Sequence, residues 1–64
     1  MWTAVFLAQT EESAYELKNK MLANNILIKI KPIINQENGL KCFEFYVPFA
    51  EVNQALELII DIQE

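Results

Sequence analysis

The side chains most capable of acid–base or nucleophilic chemistry lie in two short segments, around Lys29 and around Glu44. Glu44 beside Lys29 could act as an acid–base pair. Cys42 near Lys31 could act as a nucleophile, because a neighbouring ammonium group lowers the pKa of a thiol. No set of oxyanion donors accompanies either combination. We therefore interpret Glu44 and Lys29 as a cross-strand ion pair, and Cys42 as a small apolar filler.

The composition argues against several other classes of site. The 64 residues include no histidine, no arginine and one cysteine, and the net charge is −4. Without histidine or a second cysteine, the chain lacks the ligands for a multi-ligand His/Cys metal site and for an internal disulfide. An acidic chain without arginine also repels nucleic acid. We predict no catalytic residue, no cofactor, no metal site and no nucleic-acid partner.

The N-terminus and the apolar runs bear on location. The first residues carry no basic region, and no apolar run approaches the ~20 residues of a membrane span. A single thiol is more typical of a reducing compartment than of a secreted protein. We expect a soluble cytoplasmic protein with no membrane partner.

The segment 40–48 predicts the central strand of a small sheet, because it is rich in aromatic and β-branched residues with alternating facing. The segment 26–32 alternates in the same way and ends at a proline, which suits an edge strand because proline lacks a backbone donor. The inward side chains of these two strands should be Ile26, Ile28, Ile30, Phe43, Phe45 and Val47.

The register of this strand pair follows from the facing of the side chains. Both apolar sets share one face only if paired residue numbers add to an odd number, since a one-residue slip turns every side chain over. The short loop favours Ile30 opposite Phe43, with Lys29 opposite Glu44 on the other face.

A third strand is predicted at residues 2–8, an uncharged run with apolar residues on both faces. We favour Val5 and Leu7 as the side chains that face the helices. A helix should follow over about residues 11–24, with Thr10 as its N-cap and an asparagine pair at its end. After Pro48, a second helix should present a stripe of Val52, Ala55, Leu56, Ile59 and Ile60.

The element order is therefore strand, helix, strand, strand, helix. A right-handed crossover between the first two strands leaves space between them for the third, which gives the strand order 1-3-2. We predict a single α+β domain over 1–64, a ferredoxin-like βαββα fold with both helices on one face. The fourth strand of that fold is missing, or is a short strand formed by residues 60–64.

Three segments also resemble a known family of small prokaryotic signal-transducing proteins with a PII-like fold. They are the opening residues 1–12, the segment 25–32 and the tripeptide 46–48. The resemblance covers nearly the whole chain, and its motifs are structural. It implies the ferredoxin-like layout and a regulatory role, and it implies no catalytic residue because the family has no established activity.

The sheet face away from the helices should expose aromatic and apolar side chains, which usually marks an interface. The hydrophobic content of 53% is high for so small a monomer. We expect a homo-oligomer, with a dimer favoured over a trimer, and either a second copy or a protein or small-ligand partner on this face. The predicted face comprises Trp2, Ala4, Phe6, Leu27, Lys29, Lys31, Cys42, Glu44 and Tyr46.

The connection between the second and third strands is the other candidate for recognition, because loops on a rigid scaffold carry much of it. Ile33 and Ile34 in this loop are open to a second explanation, which is that they cover the end of the core. We predict a non-enzymatic regulatory or interaction module. The alternative is a small enzyme or accessory subunit whose site is completed across the subunit interface. The loop comprises Ile33, Ile34, Asn35, Gln36, Glu37, Asn38 and Gly39.

Overall fold

Three antiparallel strands and two helices follow one another in the predicted order. The computed structural model describes residues 1–63, and the side chains of residues 1–61. The strand order is β1-β3-β2, so the α+β, ferredoxin-like βαββα fold is confirmed. The elements are β1 (Trp2–Ala8), α1 (Glu11–Ala23), β2 (Lys29–Ile34), β3 (Lys41–Pro48), a 3-10 turn (Phe49–Glu51) and α2 (Val52–Gln63).

Local signals in the sequence set both ends of α1. The Thr10 hydroxyl accepts a hydrogen bond from the Ser13 N–H at 3.0 Å, which satisfies one of the free donors of the first turn. At the other end Asn25 adopts the left-handed conformation with a φ of 60°. Its N–H donates to the Leu22 carbonyl, and the next N–H, that of Ile26, donates to Met21. This pair of bonds is a Schellman motif.

The helices pack on one side of the sheet, around the middle of β3. Phe45 is fully buried there, and its ring meets the edge of Phe6 at 6.3 Å between centroids. Edge-to-face contacts of this kind are favourable beyond the area they bury. The buried core comprises Ala8, Ala14, Leu17, Met21, Ile26, Phe45, Val47, Ala55 and Ile59.

A β-bulge in β1 reverses the predicted facing of its second half. Ala4 lies opposite Tyr46, but Phe6 lies opposite Phe45, so Val5 is an extra residue in the ladder. The insertion turns Phe6 toward the helices and leaves Leu7 46% exposed on the other side. The prediction that Leu7 faces the helices is therefore wrong, as is the prediction that Phe6 faces away from them.

The register of β2 differs from the prediction by two residues. Ile30 lies opposite Phe45, and Lys31, rather than Lys29, lies opposite Glu44. A shift by an even number of residues does not change the side that each side chain faces, so Ile30 and Phe45 still lie together on the helix side of the sheet. The strand also starts later than predicted, because Ile26 belongs to the Schellman motif of α1, where its side chain is 1% exposed.

The turn between β2 and β3 is shorter than the loop the sequence predicts. Ile33 and Ile34 are the last two residues of β2, so the prediction that they belong to the loop is wrong. The Asn35 N–H donates to the Leu40 carbonyl at 2.8 Å, and Gly39 takes a φ of 72° within the turn. Glycine adopts this left-handed conformation without strain.

The end of the chain continues as helix. Residues 60–63 belong to α2, so a fourth strand does not form there, and Glu64 lies outside the described residues. On α2, Leu56 and Ile60 are 40% and 57% exposed, whereas the sequence predicted them within the inward stripe. No helix in residues 1–63 has the length and apolar character to cross a membrane.

Candidate functional site

No element within residues 1–63 covers the side of the sheet opposite the helices, and we call this side the reverse face. Strand pairing determines its membership, because side chains of directly paired residues lie on the same side. Its members include Trp2, Ala4, Leu7, Lys29, Lys31, Ile33, Cys42, Glu44 and Tyr46. Leu7 and Ile33 were missed by the sequence analysis. Ile33 was assigned to the loop, and Leu7 reaches this face only because of the bulge.

At one end of the reverse face, aromatic and charged side chains contact each other. The Lys29 ammonium lies 5.6 Å from the centre of the Trp2 ring, within the range of a cation–π interaction. The Tyr46 hydroxyl donates a hydrogen bond to the Glu44 carboxylate at 3.0 Å. This bond raises the pKa of Tyr46, with smaller contributions from burial and from the Glu44 charge. Glu44 is therefore hydrogen-bonded to tyrosine and does not form the predicted pair with Lys29.

A cleft of about 330 Å³ runs along this end of the face. Two ammonium groups and two aromatic rings line it, in a chain whose net charge is −4. The surroundings suit a carboxylate that is attached to an apolar group. The lining residues are Trp2, Lys29, Ile30, Lys31, Pro32 and Tyr46.

Two other predicted members of the face are placed differently. Leu27 is 61% exposed, but it precedes β2 and pairs with no strand residue. Cys42 is on the reverse face opposite Ile33, yet it is only 5% exposed. Its side chain is therefore almost fully shielded from solvent, as expected for an apolar filler.

A second cavity, of about 250 Å³, lies where the turn meets the start of α1. Asn35 and Asn38 hold the turn, since their side-chain oxygens accept hydrogen bonds from the N–H groups of Glu37 and Leu40. All the lining side chains are uncharged, so the cavity is suited to neutral groups. They are Leu7, Gln9, Thr10, Asn35, Asn38, Leu40 and Cys42.

The two cavities differ in their reactive side chains. Lys29 and Tyr46 line the cleft, whereas Cys42 lines the cavity at the turn, so the three side chains do not converge within one chain. Within the part of the chain that the structure describes, no group of three acidic, histidine or cysteine side chains is placed to hold a metal ion.

Comparison of the chain with protein-family models, with curated proteins and with solved structures found no match. The resemblance to small signal-transducing proteins of the PII-like fold therefore stays a prediction.

Proposed function

We propose that the protein is a non-enzymatic interaction module that acts as a homo-oligomer. Its reverse face binds a segment of a partner protein that carries carboxylates and an apolar anchor. The turn at residues 35–40 forms the end of this recognition surface. A regulatory role follows from such binding, because a small module without catalytic groups acts through the partners that it binds.

The observation that carries the proposal is the uncovered sheet face. Trp2 is 43% exposed at one end of β1, and Leu7 is 46% exposed on the same face toward the other end. The accessible surface of the chain is 4664 Å². A compact monomer of this mass is expected to expose about 4,200 Å². The excess is consistent with surface that association covers.

The mixed chemistry of the reverse face favours an exchangeable protein partner over a permanent subunit contact. Permanent interfaces are more apolar than the rest of the surface, whereas exchangeable ones combine aromatic anchors with polar groups. Here Trp2 and Tyr46 lie among three charged side chains. Lys29 and Lys31 outnumber Glu44, whose charge is already engaged by tyrosine, so an acidic segment is the complement.

A displayed library of random peptides tests this proposal with a defined probe. Selection against the purified protein should enrich acidic peptides that contain an aromatic or aliphatic residue. Lys31→Glu should weaken the selected peptides at least tenfold by fluorescence anisotropy. Lys18→Glu, the matched charge reversal on α1, should leave their affinity within about twofold.

Amide chemical-shift mapping supplies the spatial readout. Titration with a selected peptide should shift resonances of the reverse face and leave those of α1 in place. Equal losses for the two charge reversals, or shifts centred on the helices, would show that another surface binds the peptides.

A further inference from the structure

The two free edges of the sheet differ in how they resist a further strand. The Asn35 N–H donates to the Leu40 carbonyl, so Asn35 directs its backbone groups toward β3. In an antiparallel pair this direction alternates from residue to residue, so Ile30, Pro32 and Ile34 direct their backbone groups away from β3. Proline offers no donor at the middle of that edge. Lysines alternate with these residues, which also discourages pairing.

The outer edge of β1 has no such protection. The Met1 carbonyl accepts a hydrogen bond from the Phe49 N–H at 2.9 Å, so Met1 directs its backbone groups toward β3. By alternation Trp2 and Ala4 direct theirs away from β3, and beyond the bulge Leu7 does the same. The strand contains neither a charged residue nor a proline. This edge is the position that the fourth strand of a ferredoxin-like fold would occupy.

An apolar flank of α2 lies above the same edge. A groove between α1 and the sheet is lined by Ile30 of β2, which places α1 toward β2 and α2 toward β1. Asp61 lies 3.7 Å from Lys20 of α1 and so marks the side of α2 that faces α1. At 100° per residue, Leu56 and Ile60 lie about 140° and about 100° around the helix from Asp61, on the side away from α1.

The 3-10 turn that precedes α2 carries a further exposed aromatic side chain. Phe49 is 70% exposed, and its N–H donates to the Met1 carbonyl on the β3 side of β1. The sheet edge and the flank together form one surface, which we call the β1 edge. It comprises the outward backbone groups of Trp2, Ala4 and Leu7 and the side chains of Leu56 and Ile60.

The bulge at Val5 makes this edge complementary to itself. Outward-directed residues of a regular strand are two apart, but Ala4 and Leu7 are three apart. A regular strand added here would lose register after one pair. A second β1, running antiparallel, carries the same spacing, so Ala4 of each copy meets Leu7 of the other.

The geometry points to a second copy of this chain as the occupant of the β1 edge, in a two-fold dimer with a continuous six-stranded sheet. The same symmetry packs the two α2 flanks against each other on the helix side. The inference rests on the homo-oligomer of the proposed function and gives it an interface. The apolar character of the β1 edge fits a lasting contact, and the reverse faces stay open to partners.

The dimer carries two clefts on one broad face. Each cleft is lined by residues of all three strands, so three to five strand spacings, roughly 14–24 Å, separate the two clefts. A partner with two acidic segments across that span would bind both, and its affinity would exceed that of either segment alone.

Cysteine cross-linking tests the register in a Cys42→Ala background. A mixture of Ala4→Cys and Leu7→Cys proteins should form disulfide-linked dimers at least tenfold faster than either variant alone. The two residues are direct cross-strand neighbours in the proposed pairing, at a separation that a disulfide spans. Equal rates for the mixture and the single variants would overturn the register and the interface with it.

Substitutions on the flank supply an independent test that leaves β1 intact. Leu56→Gln with Ile60→Gln should raise the dimer dissociation constant at least tenfold in analytical ultracentrifugation. Leu22→Gln, at an equally exposed leucine on α1, should leave it unchanged. A wild-type monomer at 100 µM, or flank variants that still dimerise, would overturn the inference.

Peptide binding separates this inference from the proposed function. The flank variants should retain the affinity of each reverse face for the selected peptides, while Lys31→Glu should retain the dimer. Loss of peptide affinity in the flank variants would show that the two surfaces are one site, which would overturn the separate β1 edge.

Discussion

Adjacent aromatic residues on β3 allow a matched test of facing in the sheet. Phe45 has no exposed surface and contacts Phe6 edge to face, whereas Tyr46 is half-buried on the reverse face. Truncation of a buried phenylalanine to alanine costs about 3–5 kcal/mol. Tyr46→Ala removes a hydrogen bond to Glu44 near the surface and should cost about 1 kcal/mol. Domains of this size are stable by roughly 3–10 kcal/mol.

Urea denaturation followed by circular dichroism measures the difference. With a slope of about 1 kcal/mol per molar urea, Phe45→Ala should lower the midpoint by about 3–5 M and Tyr46→Ala by about 1 M. Phe45→Leu should fall between them and stay folded if the alanine variant does not. Each curve is recorded at two protein concentrations, because association adds to apparent stability. Equal midpoint losses for the two alanine variants would refute the facing argument.

Three further outcomes are expected. Gly39→Ala should cost about 1 kcal/mol in thermal melting, because φ is 72° and a Cβ there meets nothing within 4 Å, which leaves backbone strain as the only cost. Glu44→Gln should lower the pKa of Tyr46 toward its usual value in an absorbance titration. The folded state holds this proton more tightly, so stability should fall as alkaline pH ionises Tyr46, and less so in the variant. Replacement of residues 36–39 by Asn-Gly should leave melting nearly unchanged and weaken the selected peptides; unchanged affinity would remove the turn from the recognition surface.

Signals within a few residues of each other predicted the elements well. The Thr10 cap and the left-handed asparagine bound α1 because they act through hydrogen bonds to the nearest turn. The element order then restricts the topology, since a right-handed crossover leaves one position for the third strand. The absence of histidine and arginine is a property of composition and is read directly from the sequence.

The reverse face could be predicted only in part. Trp2, Lys29 and Tyr46 meet as their alternation indicated, which required no more than the correct parity of each strand. Phe6 and Leu7 exchange sides because of one inserted residue, and nothing in an uncharged run with apolar residues on both faces marks where a bulge occurs.

By itself the sequence determined the fold class, the strand order, the ends of α1 and the parity of β2 against β3. Each depends on local capping, on side-chain alternation or on the handedness of the chain. Tertiary structure alone decided the bulge at Val5, the two-residue shift of β2 and the exposure of Leu56 and Ile60. These depend on packing between distant segments: Phe6 reaches Phe45 only through the bulge, and α2 can bury only one flank over a three-stranded sheet.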